Sequence, residues 1–582
     1  MPYAAPLADM RLVLDAVGGL GGEAAELAGP VLDEAARFAA SELDPLNQPA
    51  DRTGSVLENG IVRTPPGFRD AYRRYVEGGW MGLAGDPAHG GQGLPAALAT
   101  PVVEMLNSAC MSWALCPLLS AGAIDLLAAH GTPEQQRLYL GKLVSGEWTG
   151  TMNLTEPQAG SDLGALRTRA VPQRDARWGE HFRITGQKIF ITYGDHDLTD
   201  NIIHMVLART PDAPPGSRGI SLFLVPKFLP DAEGRPGERN DLRPLRLEEK
   251  LGIHASPTCV MSYGEGDGAI GWRIGEENRG LEAMFTMMNS ERLGVGVQGV
   301  AIAERAYQQA RDYARSRVQG QPVDMPRQTG STPPIIHHPD VRRMLLSMRA
   351  ATEAMRALAY FAAAAIDTSR RSDDGAAQFR AQRRADLLIP VVKAWCTDLG
   401  VEIASTGIQV HGGMGYIEET GAAQYLRDAR IAPIYEGTNG IQANDLVGRK
   451  LGRDQGETAR ELIAEMRASL AELDARELSP LHQPLTDGID ALDRATASLV
   501  SAEPAVAAAG SVPYLQLFGT VAGGWLMARV AAAALRHPAT GLAAAKLATA
   551  RFYAEHFLAR APAYLPAITG GATVVDFDPE LF

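Results

Sequence analysis

The sequence predicts a mainly helical α+β protein in which one β segment interrupts two helical regions. Three observations lead there. Residues 1–150 carry apolar side chains spaced by three and four, the period of an amphipathic helix. Residues 151 to about 270 are dominated by alternating and β-rich runs, and helical periodicity returns from about 280. The β-rich runs are not separated by helices and no G-x-G-x-x-G follows a strand, which argues against a βαβ nucleotide-binding unit.

The elements follow in chain order. "VLDEAARFAASELDPL" and "TPEQQRLYLGKLVSGE" read as helices, with Thr132 as N-cap and Pro133 in the first turn of the second. "NSACMSWALCPLL", residues 107–119, is apolar and rich in small groups, and suits either a helix core or the lining of an apolar channel. "FRITGQKIFITYG", "NIIHMVLART", "GISLFLVPKFL" and "PTCVMSYGEG" read as strands of a mostly antiparallel domain. Three long helical segments then predict a bundle, completed by a short helix after Glu436. Between Arg317 and Asp340, "VQGQPVDMPRQTGSTPPIIHHP" holds five prolines and is expected to be a long non-helical connection. Beyond residue 450, "RELIAEMRASLAELDA" is a charged amphipathic helix, "RELSPLHQPLTDG" reads as a linker, and Ala-rich helices run to about 560. The expected domains are therefore 1–150, 151–275, 276–450 and 451–582.

Composition narrows the function classes. A hydrophobic fraction of 46% with 21% charged residues is a globular profile. The net charge of -13 is dispersed, and residues 451–582 carry 10 basic and 15 acidic side chains, a poor surface for nucleic acid. Cys110, Cys116, Cys259 and Cys396 have no metal-ligand spacing, so no metal is expected and the thiols read as reduced. "MPYAAPLADMRLVLDAV" is not a secretory signal, and "YLQLFGTVAGGWLMA" is too short to span a bilayer. A cytoplasmic protein without membrane insertion is expected.

Two stretches carry chemistry. In "IAPIYEGTNGIQ" a lone carboxylate, Glu436, sits between an aromatic ring and a glycine. It reads either as part of a solvated turn or as an acid or base that is aimed and partly desolvated. In "QVHGGMGY", Gly412, Gly413 and Gly415 would let backbone N–H groups approach an anion such as a pyrophosphate.

Four separated segments resemble the acyl-CoA dehydrogenase family: "TMNLTEPQAGSDLG", "KIFITYG", "QVHGGMGY" and "YEGTNGIQ", in family order. "YAAPLADMRLVLD" and "EEKLGIHASPTC", with the added C-terminal domain, further resemble its large bacterial branch. The resemblance implies an N-terminal helical domain, a central β domain and a C-terminal four-helix bundle. It implies bound FAD, α,β-dehydrogenation of an acyl-CoA thioester, electron-transfer flavoprotein as acceptor, and a homo-oligomer, most simply a dimer. By the same resemblance Glu436 is the catalytic base, and Tyr435 shields it and contacts substrate. Leu154, Thr155, Phe190, Thr192, Arg317, Gln409, Gly412, Gly413 and Thr438 are the implied FAD contacts. Ser161 and Arg292 are implied on the CoA side. Glu291 lies where some branches carry the base, and is expected to tune Glu436 or to line the site, as Arg292 beside it organises the base. Phe190 replaces the family tryptophan, and Tyr193-Gly194 replaces an asparagine-glycine pair.

An acyl-CoA oxidase, or a nucleic-acid-binding stress protein of the same fold, is the alternative. Straight-chain, aromatic and methylthio-propionyl acyl groups all remain open as substrates.

Overall fold

A computed structural model describes residues 2–231, 233–323, 325, 332–473, 475–537 and 540–581. The chain forms two compact units. One comprises Met1–Ala40, Pro95–Ser108 and Arg292–Phe582; the other comprises Ser41–Leu94 and Ala109–Glu291.

The second unit contains the β structure. Its strands are β1 (Val56–Glu58), β2 (Ile61–Arg63), β3 (Thr149–Asn153), β4 (Arg169–Asp175), β5 (Gly179–Thr192) and β6 (Ile202–Ala208). They continue as β7 (Ser221–Pro226), β8 (Phe228–Pro230), β9 (Pro236–Arg239), β10 (Leu242–Leu247), β11 (Thr258–Tyr263) and β12 (Ala269–Ile274). Eight of them form one sheet in the order β10-β11-β5-β12-β7-β6-β3, with β4 also on β5. The pairings are antiparallel except β3 with β6, so the expectation of a mostly antiparallel domain is met. β6 and β7 are buried along their whole length, which explains why their sequences are continuous apolar runs rather than alternating ones. Val62 on β2 joins the core of this sheet, and the β1–β2 hairpin is a feature that the helical reading of residues 1–150 lacked.

Thr132 caps its helix as expected, through a capping box with Gln135. The helix Ala96–His130 is interrupted at Cys110, whose backbone leaves the helical region at φ -155° and ψ 89°. Trp113 supports the core reading of its segment. It is fully buried, edge-on to Tyr75 at 5.3 Å, and its indole N–H donates to the carbonyl of Phe68.

The first unit is helical. Gly280–Ser316 from Arg292 onward, Pro339–Arg371 and Gly375–His411 are the three long segments, and Asn439–Asn444 is the short helix after Glu436. Of the proline-rich connection, residues 324 and 326–331 lie outside the described residues; the rest contains one short turn, Ile335–His337, and a bridge between Val318 and Pro334. One expectation is corrected: "RELSPLHQPLTDG" is no linker, because Ser479–Ser501 is a helix. Pro480 occupies its first turn, where its missing N–H costs nothing, and Leu481, Leu485, Ile489 and Leu492 form a buried stripe that outweighs the defect at Pro484.

The four cysteines are free and buried. Among the described residues two helices, Ala96–His130 and Ser511–Arg536, are long and apolar enough to cross a membrane. Their most apolar windows are 83% and 89% buried, which accounts for their composition as core helices.

Candidate active site

In the second unit, the "LTEP" segment is held against β5. Ile189 N–H donates to the carbonyl of Thr155 at 2.9 Å, and Lys188 Nζ donates to the carbonyl of Leu154 at 2.9 Å. Beneath the loop Glu156 is buried, and its carboxylate accepts from Lys188 Nζ at 2.8 Å, Thr168 Oγ1 at 2.6 Å and the N–H groups of Arg167 and Thr168. Burial alone would raise its pKa, but Lys188 and these donors overturn that and hold it at about 2. Burial conversely brings Lys188 down to about 8.

Phe190 lies in a β-bulge, since the pairing of β11 with β5 slips between Cys259↔Ile191 and Met261↔Lys188. Its backbone is left-handed, with φ of 60°, and the residue is 59% exposed. Thr192 follows at the end of β5, and its carbonyl accepts from Thr151 Oγ1. Tyr193, also left-handed at φ 50°, donates its hydroxyl to Ser112 O at 2.8 Å. Ser161 is exposed. Glu291 is buried, pressed so closely on Gly122 that a Cβ added there would sit 2.9 Å from its Oε1.

In the first unit the segment around Glu436 is a left-handed turn, with φ of 58° at Glu436 and 82° at Gly437. Only glycine tolerates that region readily, so the conformation of Glu436 must be held by its surroundings. Arg292 Nε donates to the carbonyl of Glu436 at 3.3 Å, and Gln442 Nε2 donates to the same oxygen at 3.1 Å. Lys393 Nζ donates to the next carbonyl, Gly437, at 2.8 Å. Tyr435 donates its hydroxyl to Gln298, whose amide N–H2 donates to Asn107 Oδ1 at 3.2 Å. Thr438 caps the following helix by accepting from Ile441 N–H. The structure thus brings Arg292, Tyr435, Glu436 and Thr438 into one local cluster.

Gln409 is exposed at the end of Gly375–His411, and the helix ends where Gly412 takes φ 60° and ψ -142°. A Cβ added at Gly412 or Gly413 would meet nothing within 4 Å, whereas one at Gly415 would strike the carbonyl of Ile408 at 2.4 Å. The turn therefore opens on the side of the first two glycines. His411 is structural: its Nδ1 lies 2.7 Å from the carbonyl of Gly407 and its ring stacks on Tyr313. Arg317 is exposed beyond the helix Gly280–Ser316.

The sequence reading missed Lys393, Asn439, Gln442 and the Glu156–Lys188 pair. A signal existed for the first: in "IPVVKAW" the lysine is flanked by apolar residues on both sides within a helix, which places it inside the protein. Among the described residues no group of His, Cys, Asp or Glu side chains could hold a metal ion.

With this fold and this cluster on one chain, the comparisons are unambiguous as to class. Family descriptions match along most of the sequence: acyl-CoA dehydrogenase N-terminal domain over 30–147, middle domain over 151–264, C-terminal domain over 278–451, and acetyl-CoA dehydrogenase C-terminal like over 462–578. The chain belongs to the acyl-CoA dehydrogenase family, oxidoreductases acting on CH–CH bonds. It is 50% identical to a 3-methylmercaptopropionyl-CoA dehydrogenase of Ruegeria pomeroyi over 551 residues, 92% of this chain and 91% of that one. Two solved structures share the fold. ACDH-11 of Caenorhabditis elegans in complex with C11-CoA matches with a TM-score of 0.78 at 22% identity, over 96% of this chain and 92% of that one. An acyl-CoA dehydrogenase of Bacillus anthracis complexed with FAD matches at 0.73 and 19% identity, over 97% and 90%.

Proposed function

We propose that the protein is an FAD-dependent acyl-CoA dehydrogenase that forms trans-2-enoyl-CoA, with Glu436 as the base that removes the α-proton. The observation that carries this reading is the held left-handed turn at Glu436. A carboxylate whose backbone is strained and gripped by Arg292 and Gln442 is aimed, not incidental. Tyr435, tethered to Gln298, narrows water access beside it and so strengthens the carboxylate as a base. Arg292 organises the turn through the carbonyl of Glu436, and it and Ser161, an exposed hydroxyl, are the residues assigned to CoA. Glu291, buried against Gly122, is assigned a wall role and not that of the base.

Features of this chain fit the flavin nucleotide of the family. The exposed Phe190 ring offers an aromatic face beside Thr192, with Leu154 and Thr155 tied to the same strand. The open glycines Gly412 and Gly413, with Gln409, Thr438 and Arg317, suit the phosphate-bearing portion. When bound, FAD supplies the hydride acceptor. Exposed Met414, Tyr416 and Ile417 beside the glycine turn support a dimer that covers them. Electron-transfer flavoprotein is the proposed acceptor, and the cytoplasm the proposed compartment. The four family matches support reading the chain as segments 1–150, 151–275, 276–450 and 451–582. The substrate tested first is 3-methylmercaptopropionyl-CoA, with straight-chain and aromatic acyl-CoA thioesters beside it.

Anaerobic bleaching of the oxidised flavin by acyl-CoA tests the reading. Glu436→Gln keeps shape and hydrogen bonding, so it is expected to retain FAD and acyl-CoA binding and to lose about 10²–10⁴-fold in flavin reduction. Retained reduction in Glu436→Gln with near-complete loss in Glu291→Gln would make Glu291 the base.

A further inference from the structure

One buried cation stands outside the machinery just described. Lys393, in the middle of the helix Gly375–His411, has no exposed surface. Its Nζ donates to the carbonyl of Gly437 at 2.8 Å and to Asn439 Oδ1 at 2.9 Å. It therefore ties the carbonyl just after the base to the first residue of the next helix. Taking Glu436 as the base, we infer that Lys393 is a positioning residue that locks the left-handed turn and presents a positive charge to the carboxylate.

Three features carry the inference. The turn holds two consecutive left-handed residues, one of them a glutamate, and Lys393 binds the carbonyl of the second. The charged groups that face Lys393 are Glu436, Asp398 and Arg292, so Glu436 is one of two anions it serves. The lysine is also braced from behind. Asn439 Nδ2 donates to Ala394 O, Thr397 Oγ1 and, at 2.6 Å, Asp398 Oδ1. Asp398 Oδ2 in turn accepts from Gln516 Nε2 at 2.7 Å. Gln516 belongs to the helix Ser511–Arg536, whose Ser511 also donates to Asn444 Oδ1 at 2.9 Å in the helix that follows the base. The C-terminal segment thus bonds to the two helices beside the base turn, at Asp398 and Asn444, and braces it indirectly.

Burial brings the Lys393 ammonium down to about 7, with Arg292 pushing the same way, against the pull of Glu436 and Asp398. Its charge is consequently sensitive in the neutral range. A cation beside a carboxylate favours the ionised form, so loss of Lys393 should move the acid limb of the base toward higher pH.

The test uses the holoenzyme of Lys393→Met, Lys393→Gln and Gln516→Leu, with Glu436→Gln as control. Anaerobic flavin reduction by acyl-CoA is followed across pH. Exchange of the α-hydrogens of acetyl-CoA with D2O is measured beside it, since this thioester has no β-carbon to oxidise and reports proton removal alone. Lys393→Met is expected to lose about tenfold or more in maximal rate and in exchange, with acyl-CoA affinity within about threefold and the acid limb shifted upward. Lys393→Gln keeps a donor without the charge, and should recover rate while keeping the shifted limb. Gln516→Leu should lose rate without a shift. Wild-type rate and limb in Lys393→Met overturn the inference; if that variant does not fold, a wild-type limb in Lys393→Gln overturns it. Active Glu436→Gln would instead overturn the assignment of the base, whereas inactive Glu436→Gln with unaffected Lys393 variants would sink this inference alone.

Discussion

Two glutamates far apart in the chain, Glu291 and Glu436, have different environments for a physical reason. Glu291 is a helical residue, buried and packed on Gly122 beside Met287. Glu436 is half-buried on a held turn, a placement that aims a carboxylate while leaving it reachable. A third glutamate, Glu156, is the structural one. Its folded pKa of about 2 lies below its ordinary 4.5, so it contributes stability that is present above about 4.5 and lost as pH falls toward 2. The shift corresponds to about 3 kcal/mol. Acid titration of urea-unfolding stability should therefore show a steeper fall over that window in the wild type than in Glu156→Gln. The mutant should also be less stable at neutral pH, because Lys188 loses its buried counter-charge.

At the scale of elements, backbone conformation does the aiming. Gly437 sits at φ 82°, and a Cβ there would come within 2.7 Å of the Gln442 amide that holds the turn. Gly437→Ala should displace Gln442, slow flavin reduction by about tenfold or more, and leave the melting temperature of the helical unit within a few degrees. Trp113 is the contrasting case, an apolar element with a mechanical role. Trp113→Ala should cost about 3–5 kcal/mol by denaturant unfolding, while the ranking of acyl chain lengths stays unchanged. A changed ranking at wild-type stability would return the channel-lining role to residues 107–119.

For the whole molecule, a buried ionic network binds parts of the chain that are far apart in sequence. Arg356 donates to Asp9, Glu104 and Glu304, and Tyr360 donates to Glu104 at 2.6 Å. Lys546, from the C-terminal segment, pairs with Asp9 and with Glu353 at 2.9 Å, and Thr549 donates to Glu353. Lys546→Met leaves two carboxylates short of a cation in a buried site, and should destabilise by about 3–5 kcal/mol in thermal or denaturant unfolding. Apolar periodicity, the strand runs and the spaced motifs near Thr155, Phe190, Gly412 and Glu436 were legible in the sequence, because period and turn chemistry are local properties of the chain. So was the family, since the motifs keep their order. The network was not legible, nor was the grip of Lys393 on the base turn or the bond of Gln516 to Asp398 behind it. Each of those joins groups tens to hundreds of residues apart, and a single charged residue in a helix looks the same in sequence whether it meets water or a distant polar partner. Proline likewise misled locally at 480 and 484, where packing of a buried leucine stripe overrode a turn signal. The sequence by itself determined most of the helical and strand segments, the β1–β2 hairpin and the helix Ser479–Ser501 apart, and which carboxylate is the base to propose. Only the tertiary structure decided what holds that carboxylate in place, because the holding groups converge in space and not along the chain.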